Sequence, residues 1–220
     1  MKRRLMLLLI LSFLTQHPAL SFKVHHVLAV GDSKTLPYPP VLVARLGAAW
    51  AEITPRLGHS GYALDGPPGR NLMAVQDADI ASLSGVPDYI LINIGTNDPI
   101  YPEADYAKGN YASWQAKLSA YVERWHTAFP LAHIGIAFPR RYDAVYNFAP
   151  MDRAIQVILD SHPYTFAGPH EDSFLTTHTD DGVHETEAGY LLLISQWESA
   201  VRLSTVSPAP AVQGTPAKPG

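Results

Sequence analysis

In the stretch VLAVGDSKT, Val27 to Thr35, an apolar run that reads as a buried strand breaks into Gly31-Asp32-Ser33. Glycine at a strand end permits a turn that other residues resist, and a serine just beyond it sits where α/β folds keep their chemistry. A serine hydroxyl performs acyl transfer only with partners: a base within hydrogen-bond reach, a group that fixes the base's tautomer, and donors aimed at the developing oxyanion. The chain holds a candidate for each. Ser33 is the candidate nucleophile and His184 the candidate general base and later general acid. Asp181 precedes His184 by three residues in DDGVH, about one turn, and is the candidate carboxylate for orienting the ring, with Asp180 as its competitor. In NIGTNDP, Asn97 offers an amide just past a strand, and in GHSG the glycines around Ser60 let the backbone turn with its N–H groups exposed. The candidate oxyanion donors are the backbone N–H groups of Ser33 and Gly61 and the Asn97 side chain.

Each of these residues also has a plainer reading. Ser33 alone could cap a helix, and Asp32 and Asp98 read as turn acceptors of backbone hydrogen bonds. Arg140 and Arg141, in FPRRYD, could bind a carboxylate or phosphate on a substrate in the bidentate way guanidinium favours, or could simply be solvated. Tyr38, Tyr101, Tyr142 and Tyr146 could wall a ring-shaped substrate, whereas Trp114 stands at helical spacing from Leu118 and Tyr121 and reads as core. His170, Glu171, His178, Asp181 and His184 lie close in sequence and raise a metal site as the rival, but no HExxH or evenly spaced His pair accompanies them.

These residues must be carried by a scaffold, and apolar runs alternate with amphipathic segments as in a parallel sheet with helices on both faces. Five strands are predicted, in HHVLAV, AEITPRL, DYILINI, AHIGIAF and PYTFAG, each ending at Gly or Pro. Helices are predicted over 40–50, 70–83, 111–129, 151–161 and 187–203. The long irregular pieces, 99–110 and 168–185, follow strand ends, where loops shape binding sites.

With 220 residues and a net charge of -4, the chain suits one domain. Its basic residues are scattered, which argues against a nucleic-acid groove or an anionic membrane surface. Cysteine is absent, which excludes disulfides, thiolate catalysis and thiolate zinc sites. Residues 1–21 have a basic start, an apolar run from Leu5 to Leu14 and small residues at Ala19 and Ser21, the pattern of a cleaved secretory signal peptide; the run is short of the roughly 20 residues that span a bilayer. Residues 206–220, rich in Pro, Ala and Gly, read as a disordered tail, leaving 22–205 as the domain.

The four blocks GDS (Gly31–Ser33), GHSG (ending at Gly61), GTND (Gly95–Asp98) and DGVH (Asp181–His184) resemble, in order and spacing, those of the SGNH or GDSL hydrolases, a family of esterases and acylhydrolases. The resemblance runs from Val27 to about Leu203. It implies a three-layer αβα sandwich with flavodoxin-like strand order around a five-stranded parallel sheet. It also implies Ser33, Asp181 and His184 as the catalytic residues, Ser33, Gly61 and Asn97 as the oxyanion hole, and no cofactor or metal requirement. Asp181, not Asp180, has the family's spacing to the histidine. The position after the nucleophile, usually apolar in the family, is Lys34 here, which points away from a greasy acyl site and towards short acyl esters such as acetylated carbohydrate. Lysophospholipase, thioesterase and a carbohydrate-binding protein without catalysis are the alternatives on the same fold.

Overall fold

The structure, a computed structural model, describes residues 23–142, 146–174 and 176–206. The signal peptide read at 1–21 and, beyond Val206, the tail read to 220 lie outside them. Strand β1 (His25–Asp32) carries the buried run Val27–Val30. Helix α1 (Pro39–Leu46) opens on two prolines, which lack only N–H groups that have no partner in a first turn. It stops at Gly47 (φ +104°) rather than continuing to Trp50. Two short strands follow, β2 (Trp50–Glu52) and β3 (Leu57–His59), then α2 (Leu72–Ser82), β4 (Tyr89–Asn93), α3 (Tyr111–Ala128), β5 (His133–Phe138), α4 (Ala149–Ser161), β6 (Thr165–His170) and α5 (Glu187–Val206). Asn71 and Asn110 cap α2 and α3 through their side chains.

The strands form one parallel sheet in the order β2-β1-β4-β5-β6, with β3 also on β1. β2 pairs with His25–Val27 and β3 with Val30–Asp32, both on the edge of β1 opposite β4. The single second strand expected over AEITPRL is therefore an edge strand interrupted over 53–56. Pro55, without an N–H to give, falls in the gap. β6 runs two residues later than expected and takes in Pro169, which an edge strand tolerates.

Alternation along the strands sorts side chains to two cores. Leu28, Val30, Ile90, Ile92, Ile134 and Ile136 meet residues of α3 and α4, including Trp114, Leu118, Ile155 and Ile158. Val27, Ala29, Tyr89, Leu91 and Ala137 meet α1 and α5 through Leu42, Leu46, Leu193 and Trp197. The result is the three-layer αβα sandwich with flavodoxin-like order. A parallel sheet sends every strand's C-terminal end to the same edge, so Ser33, Gly61, Asn97, Arg140 and Glu171 all follow strands there.

Candidate active site

Ser33 begins a 3-10 turn directly after β1. Gly31 makes this turn possible: its φ is +141°, and a Cβ there would lie 1.9 Å from the Asn93 carbonyl oxygen on β4. Only glycine lets the two backbones approach so closely. Asp32 caps the turn, accepting a hydrogen bond from Lys34 N (3.1 Å), and its burial pushes the carboxyl up to about 7.

His184 reaches Ser33 from the loop before α5. Ser33 Oγ lies 3.0 Å from His184 Nε2, and His184 Nδ1 lies 2.8 Å from Asp181 Oδ2. The other Asp181 oxygen accepts from the backbone N–H groups of Val183 (2.9 Å) and His184 (2.7 Å). Burial works against ionisation of Asp181, but these hydrogen bonds and the adjacent imidazole outweigh it and hold the carboxyl well below the usual carboxylate range. An ionised Asp181 accepts a hydrogen bond from Nδ1–H, which fixes the proton on Nδ1 and leaves the Nε2 lone pair to face the Ser33 hydroxyl. His184 and Asp181 are both about half exposed, so the chain opens to solvent. Asp180 takes no part in it; its backbone N–H bonds the His184 carbonyl (2.9 Å).

The loop after β3 carries Gly61 at φ +73°. Its backbone is held on two successive carbonyls: Tyr101 donates its hydroxyl to Gly61 O (2.5 Å), and Asn97 Nδ2 donates to Tyr62 O (2.9 Å). An amide carries two hydrogens, so Asn97 keeps one for a ligand. Asp98 ties the same parts together from below, accepting from Leu64 N (3.1 Å) and from Trp114 Nε1 (2.7 Å). Burial pushes its carboxyl up to about 7. The structure thus joins Ser33, His184 and Asp181 in one hydrogen-bond chain and Gly61 and Asn97 in a second unit at the same sheet edge.

Other expectations need revising. Lys34 does not line the site beside the nucleophile; its side chain is 1% exposed and turns inward. Its ammonium donates to Glu171 Oε2 (2.7 Å) and to the Arg140 carbonyl (2.9 Å), and lies 3.1 Å from Glu185 Oε1, in an ion pair poorly aligned for a hydrogen bond. Burial alone would lower the Lys34 pKa, yet the Glu171 and Glu185 carboxylates outweigh it and raise it. An inward lysine cannot exclude a long acyl chain, so the argument from Lys34 against a greasy acyl site falls. Arg140 is likewise committed, in a bidentate pair with Asp152 (2.8 and 2.7 Å) and over the Phe148 ring. Tyr142 donates its hydroxyl to the Glu171 carbonyl. Neither the Arg140 fork nor the Tyr142 hydroxyl is turned to a substrate.

The histidine-rich loop does not converge either. His170 stacks on Phe138, and Glu171 is fully buried, accepting also from Asn93 Nδ2 (3.1 Å) and Arg140 N (2.9 Å). Among the described residues no group of three His, Asp or Glu is placed to hold a metal ion. Two features escaped the sequence reading. Glu171 and Glu185 as partners of Lys34 were discoverable, because a lysine next to a buried strand end needs carboxylates. Arg70, whose Nη1 donates to Tyr101 OH (3.0 Å), gave no local signal.

No protein-family model matches the chain, and no curated protein matches it by sequence. Solved structures do match. A family 3 carbohydrate esterase of Clostridium thermocellum is 18% identical at a TM-score of 0.65, over 86% of this chain and 100% of its own. A GDSL-like lipase candidate from Parabacteroides merdae is 18% identical at a TM-score of 0.66, over 84% and 100%. A family 3 carbohydrate esterase of Talaromyces cellulolyticus is 16% identical at a TM-score of 0.60, over 83% and 98%. The chain has the fold of these proteins.

Proposed function

We propose that this protein is a serine ester hydrolase of the SGNH type, acting on short acyl esters, with acetylated carbohydrate as the substrate class. The observation that carries the reading is the unbroken chain from Ser33 through His184 to Asp181 at the open C-terminal edge of the sheet. Ser33 Oγ attacks the ester carbonyl carbon while His184 Nε2 accepts the hydroxyl proton. The oxyanion forms against Asn97 and the N–H groups of Ser33 and Gly61. Collapse expels the alcohol, which takes the proton from His184 and leaves an acyl group on Ser33. Water then repeats the sequence and releases the acid. Support for a carbohydrate leaving group comes from the carbohydrate esterases that share the fold, and for the acetyl group from an acetyl esterase that shares it.

The test is a paired one. An organophosphate is expected to add a single phosphyl group to the Ser33 peptide, read by mass spectrometry, and to abolish hydrolysis of 4-nitrophenyl acetate; a chelator should leave the rate unchanged. Acetate release from acetylated xylo-oligosaccharide should outpace hydrolysis of 4-nitrophenyl octanoate. Modification elsewhere, or full activity after Ser33 is blocked, sinks the serine mechanism, and preference for the octanoate sinks the short-acyl assignment. We also infer export, from the basic, apolar and small-residue order of residues 2–21; N-terminal sequencing of the exported protein should begin near Phe22, and an intact Met1 would refute it.

A further inference from the structure

Beside the loop that carries Gly61 stands a cation without a carboxylate. Arg45, Arg56, Arg124, Arg140 and Arg202 are each paired with Asp or Glu. Arg70 is exposed, and among the described residues its one side-chain partner is the neutral Tyr101 hydroxyl. The same hydroxyl donates to Gly61 O, so one phenol joins the guanidinium to the candidate oxyanion loop. A Cβ built on Gly61 would lie 3.2 Å from Arg70 Nη1 and 3.8 Å from its Cζ, which places the fork directly over this glycine. The backbone there is not loose: Ala63 N bonds Arg70 O (3.1 Å), Arg70 N bonds Pro67 O (2.9 Å) and Leu72 N bonds Ala63 O (2.9 Å).

We propose that Arg70 is an anion subsite of the catalytic cleft, so that the preferred esters carry a carboxylate near the scissile bond; this rests on the ester-hydrolase reading above. With the ester carbonyl held at Gly61, a carboxylate a few bonds away meets a guanidinium with four N–H donors that bond nothing among the described residues, a geometry suited to bidentate recognition. The sequence offered Arg140 and Arg141 for this role; the Arg140 fork is closed by Asp152.

The carboxylate belongs to the acyl half or to the alcohol half of the ester, and two pairs of probes separate these. Mono-4-nitrophenyl succinate against 4-nitrophenyl butyrate tests the acyl half. Acetylated methyl glucuronoside, its carboxylate free, against acetylated methyl glucoside tests the alcohol half. In at least one pair the ratio of kcat/KM, anionic over neutral, is expected to fall about tenfold in Arg70→Met and less in Arg70→Lys, and to shrink with added salt in the wild type. Ratios unchanged by Arg70→Met in both pairs overturn the proposal. Calorimetric titration with succinate and with glucuronate makes the same comparison without turnover: weaker binding of either by Arg70→Met supports it, and equal or absent binding in both proteins overturns it. A wild type that binds an anion through Arg70 but hydrolyses no ester would refute the ester-hydrolase reading alone.

Discussion

Ser33→Ala is expected to lower kcat/KM for 4-nitrophenyl acetate by about 10⁴- to 10⁶-fold while leaving the fold intact. Among the described residues the hydroxyl's one side-chain hydrogen bond is to His184, at the exposed mouth of the site, so stability should change by less than about 1.5 kcal/mol. His184→Ala should cost a similar factor, and the double variant little more, because nucleophile and base act as one unit. Asn97→Ala should lose less, about 10²- to 10³-fold and mainly in kcat, as expected when one of several oxyanion donors is removed. Losses that simply multiply in the double variant would sink the assigned roles. The pH profile adds a second readout. The base must be neutral, so kcat/KM should fall on acidification. Asp181 is held well below the ordinary carboxylate range by its hydrogen bonds and keeps its charge as the rate falls. A rate that stayed flat on acidification would count against the role of His184.

Lys34→Met is expected to destabilise the protein by about 3–5 kcal/mol, because it removes the one ammonium from between two buried carboxylates. For a domain of this size that is a fall of roughly 6–20 °C in Tm. Adding Glu171→Gln and Glu185→Gln should recover much of the loss, since the uncompensated charge, not the missing contact, is the larger cost. A single variant melting within about 2 °C of the wild type would show that the cluster is not ionised as described. The same cluster has a pH signature. Burial pushes Asp32 to about 7 and Glu185 to about 6, the latter also through the charge of Glu171. A carboxyl whose folded pKa is raised binds its proton more tightly in the folded state, so its contribution to stability declines as pH rises from the unfolded value near 4 through the folded one. Asp32→Asn removes that decline at Asp32 while keeping an oxygen for Lys34 N. Its Tm should therefore gain on the wild type between about pH 4 and 7 and level off above. A difference constant with pH would refute the raised Asp32.

The sequence by itself determined the scaffold and the order of the candidate site residues. Strands at 25–30, 89–93 and 133–138 were legible because a sheet covered on both faces needs unbroken apolar runs. The parallel sheet and the glycines at the turns sent Ser33, Gly61 and Asn97 to one edge, and the three-residue spacing of Asp181 and His184 placed carboxylate and ring within reach by local geometry alone. Only the tertiary structure decided which charged side chains find partners. Lys34 finds Glu171 across 137 residues of chain, and Arg140 is captured by Asp152, while Arg70 is left open beside Gly61. A residue's type states which partners it can accept. Whether a carboxylate stands within 3 Å depends on the packing of helices and loops far apart in the chain, and that distance separates a buried structural ion pair from a group free to meet a substrate.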